Sequence, residues 1–359
     1  MWYKTKASEI LRIDYPVLQG PFGGGLSSPK LVSTVSNAGG LGGYGAYQLQ
    51  PEEIIEIDKQ IKSLTQKPYA LNLWVSDVDE EINRFGDQDF EILKSTFKPY
   101  FDELNISLPE KLVMIQSKFD KQVETILKIK PPVLSFIFGV PSKEILKECK
   151  KEGIITIGTA TTLDEALVLE EANVDMIVAS GFEAGGHRSS FLRKAEDSLT
   201  GNFALIPQIA DQVKKPVIAA GGIADGRGIV AALILGASAV QIGTAFLACE
   251  ESNATDLHRK IIFSEQAKYS VLSRAFTGRL SRGIQSKIAM ETKGYENQFA
   301  PFPIQSIFMS SLRKAAIEQN KSEMFTFWAG QNAPLVKYKN AEQLMNSLIS
   351  QVNTIYKKE

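Results

Sequence analysis

Histidine and cysteine are the scarce residues of this chain. Its 359 residues include two of each, His187 and His258, Cys149 and Cys249. Two imidazoles are too few for a multi-histidine metal centre, and any proton transfer by imidazole has only two addresses. The cysteines stand far apart with no CxxC spacing, which excludes a disulfide framework and a thiolate zinc site; each reads as a small buried apolar residue. An excess of charge of one sign is also missing, since 40 basic and 41 acidic residues leave a formal net charge of −1. Nucleic acids and anionic membrane surfaces need a concentrated positive field, which this balance does not offer. No apolar stretch approaches the ~20 residues that span a bilayer. The start, MWYKTKASEILRI, lacks the apolar run and small-residue cleavage site of a signal peptide. The expectation is a cytoplasmic protein that binds small molecules, with neither nucleic acid nor membrane as partner.

What is present is 44% hydrophobic residues, enough for one large core or two smaller ones. Short β-branched runs alternate with segments of helical period, the signature of βα units around a parallel sheet. Strands are expected at Pro16 to Gln19, Gly40 to Gly45, Tyr69 to Val75, Val133 to Gly139, Ile154 to Thr159, Met176 to Ser180, Pro216 to Gly221 and Ala239 to Gly243. Their nearly continuous apolar runs suit a sheet covered on both faces, and eight such units close into a (β/α)8 TIM-type barrel. Helices with apolar residues at i, i+3, i+4 include Pro51 to Leu64 and Leu163 to Ala172, the second with Thr162 placed as its cap. The connection Ser76 to Pro132 is too long for one crossover and is charged with helical period, so it reads as helical excursions. Beyond the eighth strand the pattern changes to amphipathic stretches such as Ile304 to Gln319 and Ala341 to Tyr356. The expected division is a barrel over 1–249, with a helical insertion around 76–132, and a smaller, mostly helical domain over 250–359 that covers the mouth.

Barrel enzymes place their chemistry at the C-terminal ends of the strands, with phosphate groups at the loops after strands seven and eight. Those loops read AAGGIADGRG and QIGTAF. Gly221, Gly222, Gly243 and Thr244 form a candidate phosphate cradle, in which the amides opening the following helix face the anion. Tight packing alone is the competing reason for these glycines. The sixth strand runs into ASGFEAGGHRSSF, which sets Glu183, Gly185, Gly186 and His187 at the mouth. Imidazole exchanges protons near neutrality, so His187 is the candidate catalytic residue, while His258 in DLHRKII reads as an ordinary surface or packing residue.

Three further segments are informative. Gly40, Gly42 and Gly45 satisfy GxGxxG formally, but a helical stretch precedes them and no helix opens at them, so a dinucleotide fold is rejected. These glycines are read instead as keeping the second strand end open to a flat ligand. Asn72 in ALNLWV must find a hydrogen bond inside the barrel, either structural or to a ligand. The first loop, QGPFGGG from Gln19 to Gly25, brings backbone amides to a ligand or makes a turn.

Taken together, QGPFGGG, SNAGGLGGYGA, GFEAGGHR, AAGGIADGRG, QIGTAFL, FPIQSIFMSSLRKAA and FWAGQ resemble the nitronate monooxygenase family, formerly called 2-nitropropane dioxygenases. The likeness runs over nearly the whole chain. It implies an FMN-containing (β/α)8 barrel with a helical second domain, oxidising alkyl nitronates such as propionate 3-nitronate, and nitroalkanes, with O2 to a carbonyl product and nitrite. Carried over by residue, Asn72, Gly185, Gly222 and the run Gln241, Ile242, Gly243, Thr244 match positions that hold FMN, and His187 matches the proposed catalytic base. Gln19, Gly20, Pro21, Phe22, Gly23, Ser180, Gly186 and Gly221 complete the expected FMN-binding set, and no metal is expected. Ser180 departs from the family, whose members often carry glutamine there. The resemblance leaves a homodimer open. Two competing readings are an FMN-dependent enoyl-acyl-carrier-protein reductase, which shares the barrel and a similar EAGGH loop, and a flavin-binding barrel without turnover. The tail FPIQSIFMSSLRKAA resembles the nitronate enzymes better.

Overall fold

A computed structural model describes residues 1–111 and 115–357; positions 112–114 of the expected insertion and 358–359 of the tail lie outside the described residues. Eight parallel strands form the central sheet: β1 (Val17–Gln19), β2 (Gly42–Gly45), β3 (Tyr69–Trp74), β4 (Val133–Ile137), β5 (Ile155–Ala160), β6 (Met176–Ser180), β8 (Val217–Ala220) and β9 (Ala239–Ile242). Their order, β1-β9-β8-β6-β5-β4-β3-β2, is closed by a parallel bridge between Leu18 and Leu41, in which Leu41 N–H donates to Val17 and Gln19 N–H to Leu41. All eight lie within the spans expected from sequence, give or take one residue, because each is an apolar run flanked by turn residues. β3 is buried at every position, as a strand walled on both faces must be.

Helices follow each strand outside the barrel. Thr162 accepts from Glu165 N–H and starts Leu163–Glu171, as its position before the apolar stripe predicts. Ser28 caps Pro29–Asn37 through Leu31 N–H, with proline at the first helical position. Two excursions leave this regular scheme, one after β3 and one after β9. The first contains Asp87–Glu103 before the barrel helix Phe119–Ile129; the second covers 250–340 before the chain returns with Ala341–Tyr356.

Packing sorts the excursions in a way the sequence pattern does not display. Phe90, Leu93, Phe97 and Phe101 of the first share a hydrophobic cluster with Phe276, Ile304, Phe308, Leu312 and Phe325 of the second. Burying side chains of this size is worth roughly 1.5–3 kcal/mol each, so the two excursions stabilise one lobe jointly. Ala341–Tyr356 instead buries Leu344, Met345, Leu348 and Val352 in the barrel cluster, against the helices Pro29–Asn37 and Gly226–Ile234. The packing boundary therefore falls before residue 341 as well as near 250.

The second excursion is not wholly helical. A hairpin of β10 (Ser270–Ser273) and β11 (Ser281–Ile284) pairs antiparallel with β7 (Gly186–His187), joining the loop after β6 to the tail. SVLS and SRGI are short and carry no strong alternation, which is why periodicity does not find them. Among the described residues, no helix is long and apolar enough to cross a membrane.

Candidate active site

A cavity of about 860 Å³ opens at the C-terminal ends of the barrel strands and runs out under the second lobe. Its walls include Gly20, Pro21, Phe22 and Gly23 after β1, Asn72 and Trp74 on β3, and Ser180 at the end of β6. Gly185, Gly186 and His187, then Gly221 and Gly222, then Gln241, Gly243 and Thr244 complete the barrel side. Fourteen of the sixteen residues expected at the site are thus brought to one cavity, Gln19 and Ile242 being the exceptions.

Those two lie behind the wall for a simple reason. Strand side chains alternate, so with Gln241 facing the cavity Ile242 points the other way, into the barrel cluster, fully buried. Its carbonyl accepts from Gly20 N–H at 2.9 Å, which sets the first loop's backbone. Gln19 is 1% exposed, and its Oε1 accepts from Gly43 N–H at 2.9 Å, tying β1 to β2.

The glycine-rich second strand is likewise not part of the wall. A Cβ on Gly42 would come within 2.1 Å of the Val32 carbonyl oxygen, and one on Gly45 within 2.4 Å of that of Phe22. These glycines let β2 approach neighbouring backbone and leave nothing open to a flat ligand. Asn72 finds its hydrogen bond inside the barrel, Nδ2 donating to Ser135 Oγ at 3.0 Å, and the residue also borders the cavity.

The loops after β8 and β9 both line the cavity, but their free donors do not lie where the sequence picture puts them. The opening amides of helix Gly226–Ile234 are already taken: Asp225 accepts from Arg227 N–H at 3.0 Å and Gly228 N–H at 3.3 Å, and Gln351 accepts from Gly226 N–H at 2.9 Å. Free donors lie earlier, in the loop itself. Among the described residues the amides of Gly222, Ile223, Gly243 and Thr244 donate to no protein acceptor. Gly221 and Gly222 hold φ of +106° and +66°, left-handed values that favour glycine and turn the loop's backbone toward the cavity.

The tail braces this cradle. Asn332 Nδ2 donates to the Gly222 carbonyl, and Gly330 N–H donates to Thr244 Oγ1 at 2.9 Å. A Cβ on Gly185 would meet Ala329 C and Gly330 N at 2.6 Å, so that glycine admits the tail backbone.

His187 stands on β7, paired with Ser281 of the tail hairpin. Its Nε2 lies 3.0 Å from Thr277 Oγ1, and that hydroxyl is 3.1 Å from the Arg279 carbonyl. A carbonyl only accepts, so the hydroxyl's hydrogen goes to Arg279 and Thr277 accepts from Nε2–H. This assignment fixes the tautomer and leaves Nδ1 as the basic nitrogen. Trp74 meets the imidazole edge-on with centroids 5.1 Å apart, and Trp328 lies at 5.5 Å. Desolvation in this aromatic box, with the Arg279 charge adding to it, lowers the His187 pKa to about 3. Arg279 is itself held by Asp79 at 2.6 Å and by the Phe138 ring at 4.1 Å. His258 is 3% exposed and donates to the Trp328 carbonyl at 3.0 Å, which makes it a packing residue beneath the cavity wall.

Two residues that sequence reasoning passed over hold the histidine's loop. Arg188, 5% exposed, donates to the carbonyls of Thr161 at 3.0 Å, Ser198 at 2.9 Å and Ser180. Glu165 is fully buried and accepts from Thr161 N–H at 2.6 Å, Phe191 N–H at 2.6 Å and Leu192 N–H at 3.2 Å. Apart from the nearby Thr161, whose amide and hydroxyl both reach Glu165, the partners lie 8 to 27 residues away, so spacing does not mark this role for either residue.

Comparison with known proteins gives a consistent result. The family model described as nitronate monooxygenase matches residues 4–351. A probable nitronate monooxygenase of Staphylococcus aureus (strain MRSA252) is 39% identical over 356 residues, covering 99% of each chain. Among solved structures, nitroalkane oxidase from Streptomyces ansochromogenes superposes with a TM-score of 0.89 at 30% identity, covering 98% of this chain and 99% of that one. FabK from Thermotoga maritima superposes with a TM-score of 0.77 at 27% identity, covering 99% of this chain and 98% of that one.

Proposed function

The chain belongs to the nitronate monooxygenase family, and from that premise we propose that it uses FMN to oxidise alkyl nitronates, propionate 3-nitronate among them, and nitroalkanes with O2, giving a carbonyl product and nitrite. The observation that carries this reading is the placement of His187. A neutral imidazole with a defined basic nitrogen lines the same cavity as a set of unpartnered loop amides.

The residues present fit FMN. The amides of Gly222, Ile223, Gly243 and Thr244 suit its phosphate, whose charge local backbone dipoles hold in place of a basic patch. The backbone of Gly20 to Gly23 offers a wall without bulky side chains except Phe22, and Asn72, Ser180 and Gln241 present polar atoms beside it. Serine at 180 is shorter than the glutamine of related sequences, and its carbonyl serves Arg188. When bound, the flavin supplies the redox chemistry, and the protein supplies orientation and proton control.

The protein's own part starts with the α-proton of a nitroalkane. His187 Nδ1 takes that proton while Thr277 accepts from Nε2–H, so the ring cannot turn to present the wrong nitrogen. Trp74, Trp328, Phe138 and Phe302 exclude water from the imidazole, which keeps it neutral between turnovers. A nitronate, already deprotonated, needs no base and relies on the cavity for positioning alone.

Mixing the purified holoenzyme anaerobically with ethylnitronate, and separately with NADH or NADPH, tests the proposal. Flavin bleaching by the nitronate and not by the nucleotides is the expected result; rapid bleaching by a nucleotide would assign a reductase instead. A protein that is colourless and cannot be reconstituted with FMN would overturn the cofactor.

The depressed histidine also predicts a pH profile. A pKa lowered below the ordinary ~6.5 keeps the base form populated as pH falls, so the rate does not drop through that value. With a neutral nitroalkane, kcat/KM is expected to stay level from pH 7 down to about 5. An acid limb centred near ~6.5 would show the ring titrating as it does in water and would remove the burial argument.

A further inference from the structure

The cavity extends past His187 to an outer end formed by Ser306, Ile307, Ser310, Arg313 and Lys314 on the helices Ile304–Phe308 and Ser310–Glu318. Most cations near the cavity have counterions. Arg279 pairs with Asp79 at 2.6 Å, Arg274 with Glu196 at 2.6 Å, and Lys314 with Glu318 at 3.9 Å. Arg313 differs. It is half-buried, its guanidinium sits 5.2 Å from the Phe325 ring centroid, and among the described residues no carboxylate or carbonyl accepts from it. A partly desolvated cation without a partner is a standing cost, which an incoming anion removes, and a guanidinium's fork matches the two oxygens of a carboxylate.

Arg313 is connected to the reacting end through rings. Tyr47 stacks on Trp74 with centroids 3.6 Å apart, and Trp74 meets His187. The Arg313 charge acts on the Tyr47 phenol, as that of Arg279 does. Arg313 on the helix Ser310–Glu318 thus lines the same cavity as Tyr47, Trp74 and His187.

We propose that Arg313 is an anion subsite that selects nitro compounds carrying a carboxylate at the far end of an alkyl chain, with the nitro carbon at His187 and the chain along Tyr47 and Trp74. This rests on the nitro-compound reading above, in which propionate 3-nitronate already carries a carboxylate, and adds the residue that reads that charge. Chains too short to reach from one end to the other gain less from Arg313 than longer ones.

The test is equilibrium binding without O2 to holoenzyme whose flavin has been reduced beforehand, so that it can accept no electrons from the ligand, read by quenching of tryptophan emission, since Trp74 and Trp328 line the cavity. 6-Nitrohexanoate is compared with 1-nitrohexane, which has the same chain and no charge. The parent is expected to bind the acid more tightly by about tenfold or more, the worth of a charge-assisted hydrogen bond. Arg313→Gln is expected to reduce that ratio to near one, and Arg313→Lys to keep part of it. Equal affinity for the two ligands in the parent, or a ratio that survives Arg313→Gln, overturns the subsite. Binding is read without turnover, so failure of the parent to oxidise either compound would count against the oxidation reading and leave this result standing.

Discussion

Replacing His187 with alanine is expected to lower kcat/KM for a nitroalkane by about 10²- to 10⁴-fold, the usual worth of a positioned general base. The loss with the matching preformed nitronate is expected to be much smaller, because its α-proton is already gone. That contrast separates two roles that one variant would otherwise merge. A burial-depressed pKa favours the neutral ring, which accepts a proton, over the imidazolium, which would hold an anion. Equal losses on both substrates would assign His187 to anion binding, and no loss on either would remove it from the chemistry. Steady-state rates on freshly neutralised nitroalkane and on base-equilibrated nitronate give both numbers.

The second large effect is expected at Arg188, which does not itself line the cavity but holds Ser180, which does. Its guanidinium serves carbonyls from β5's end, from β6's end and from Ser198, so one side chain ties three segments around the loop that carries His187. Arg188→Ala leaves those buried carbonyls without donors and opens a void, a loss of about 3 kcal/mol or more. Arg188→Leu fills the volume but not the hydrogen bonds and is expected to recover only a minor part. Urea unfolding of the variants should move to a lower midpoint with flavin released before the main transition. An unchanged midpoint would mean that the carbonyls find water and that the arginine is dispensable.

These two positions show how the sequence does and does not expose its site. His187 is legible because imidazole is scarce here and because GGH follows a strand in a barrel pattern. The placement of Gly221, Gly222, Gly243 and Thr244 on the cavity wall is legible for the same topological reason: the fold fixes where the loops after β8 and β9 lie. Arg188 and Glu165 are not, since the carbonyls that Arg188 serves and the Phe191 and Leu192 amides that Glu165 accepts from meet them only on three-dimensional closure. Thr277, which sets the histidine's tautomer, sits ninety positions away in a stretch with no periodic signal. The capping of Gly226–Ile234 by Asp225 was in principle readable, because aspartate before a helix is a cap first, and it moves the anion donors back into the loop. The glycines of β2 mislead because a close backbone approach and an open ligand face leave the same mark in sequence.

One consequence lies in the timing of assembly. The last barrel strand is complete at Ile242, yet the helix that covers it against Pro29–Asn37 and Gly226–Ile234 does not begin until Ala341. As the chain leaves the ribosome, all eight strands emerge while the apolar flank meant for Leu344, Met345 and Leu348 stays bare. The lobe that lines the cavity must form in that interval or later, from a first excursion already waiting and a second still being made. Nascent chains paused within 250–340 are therefore the species most exposed to aggregation and most in need of a chaperone.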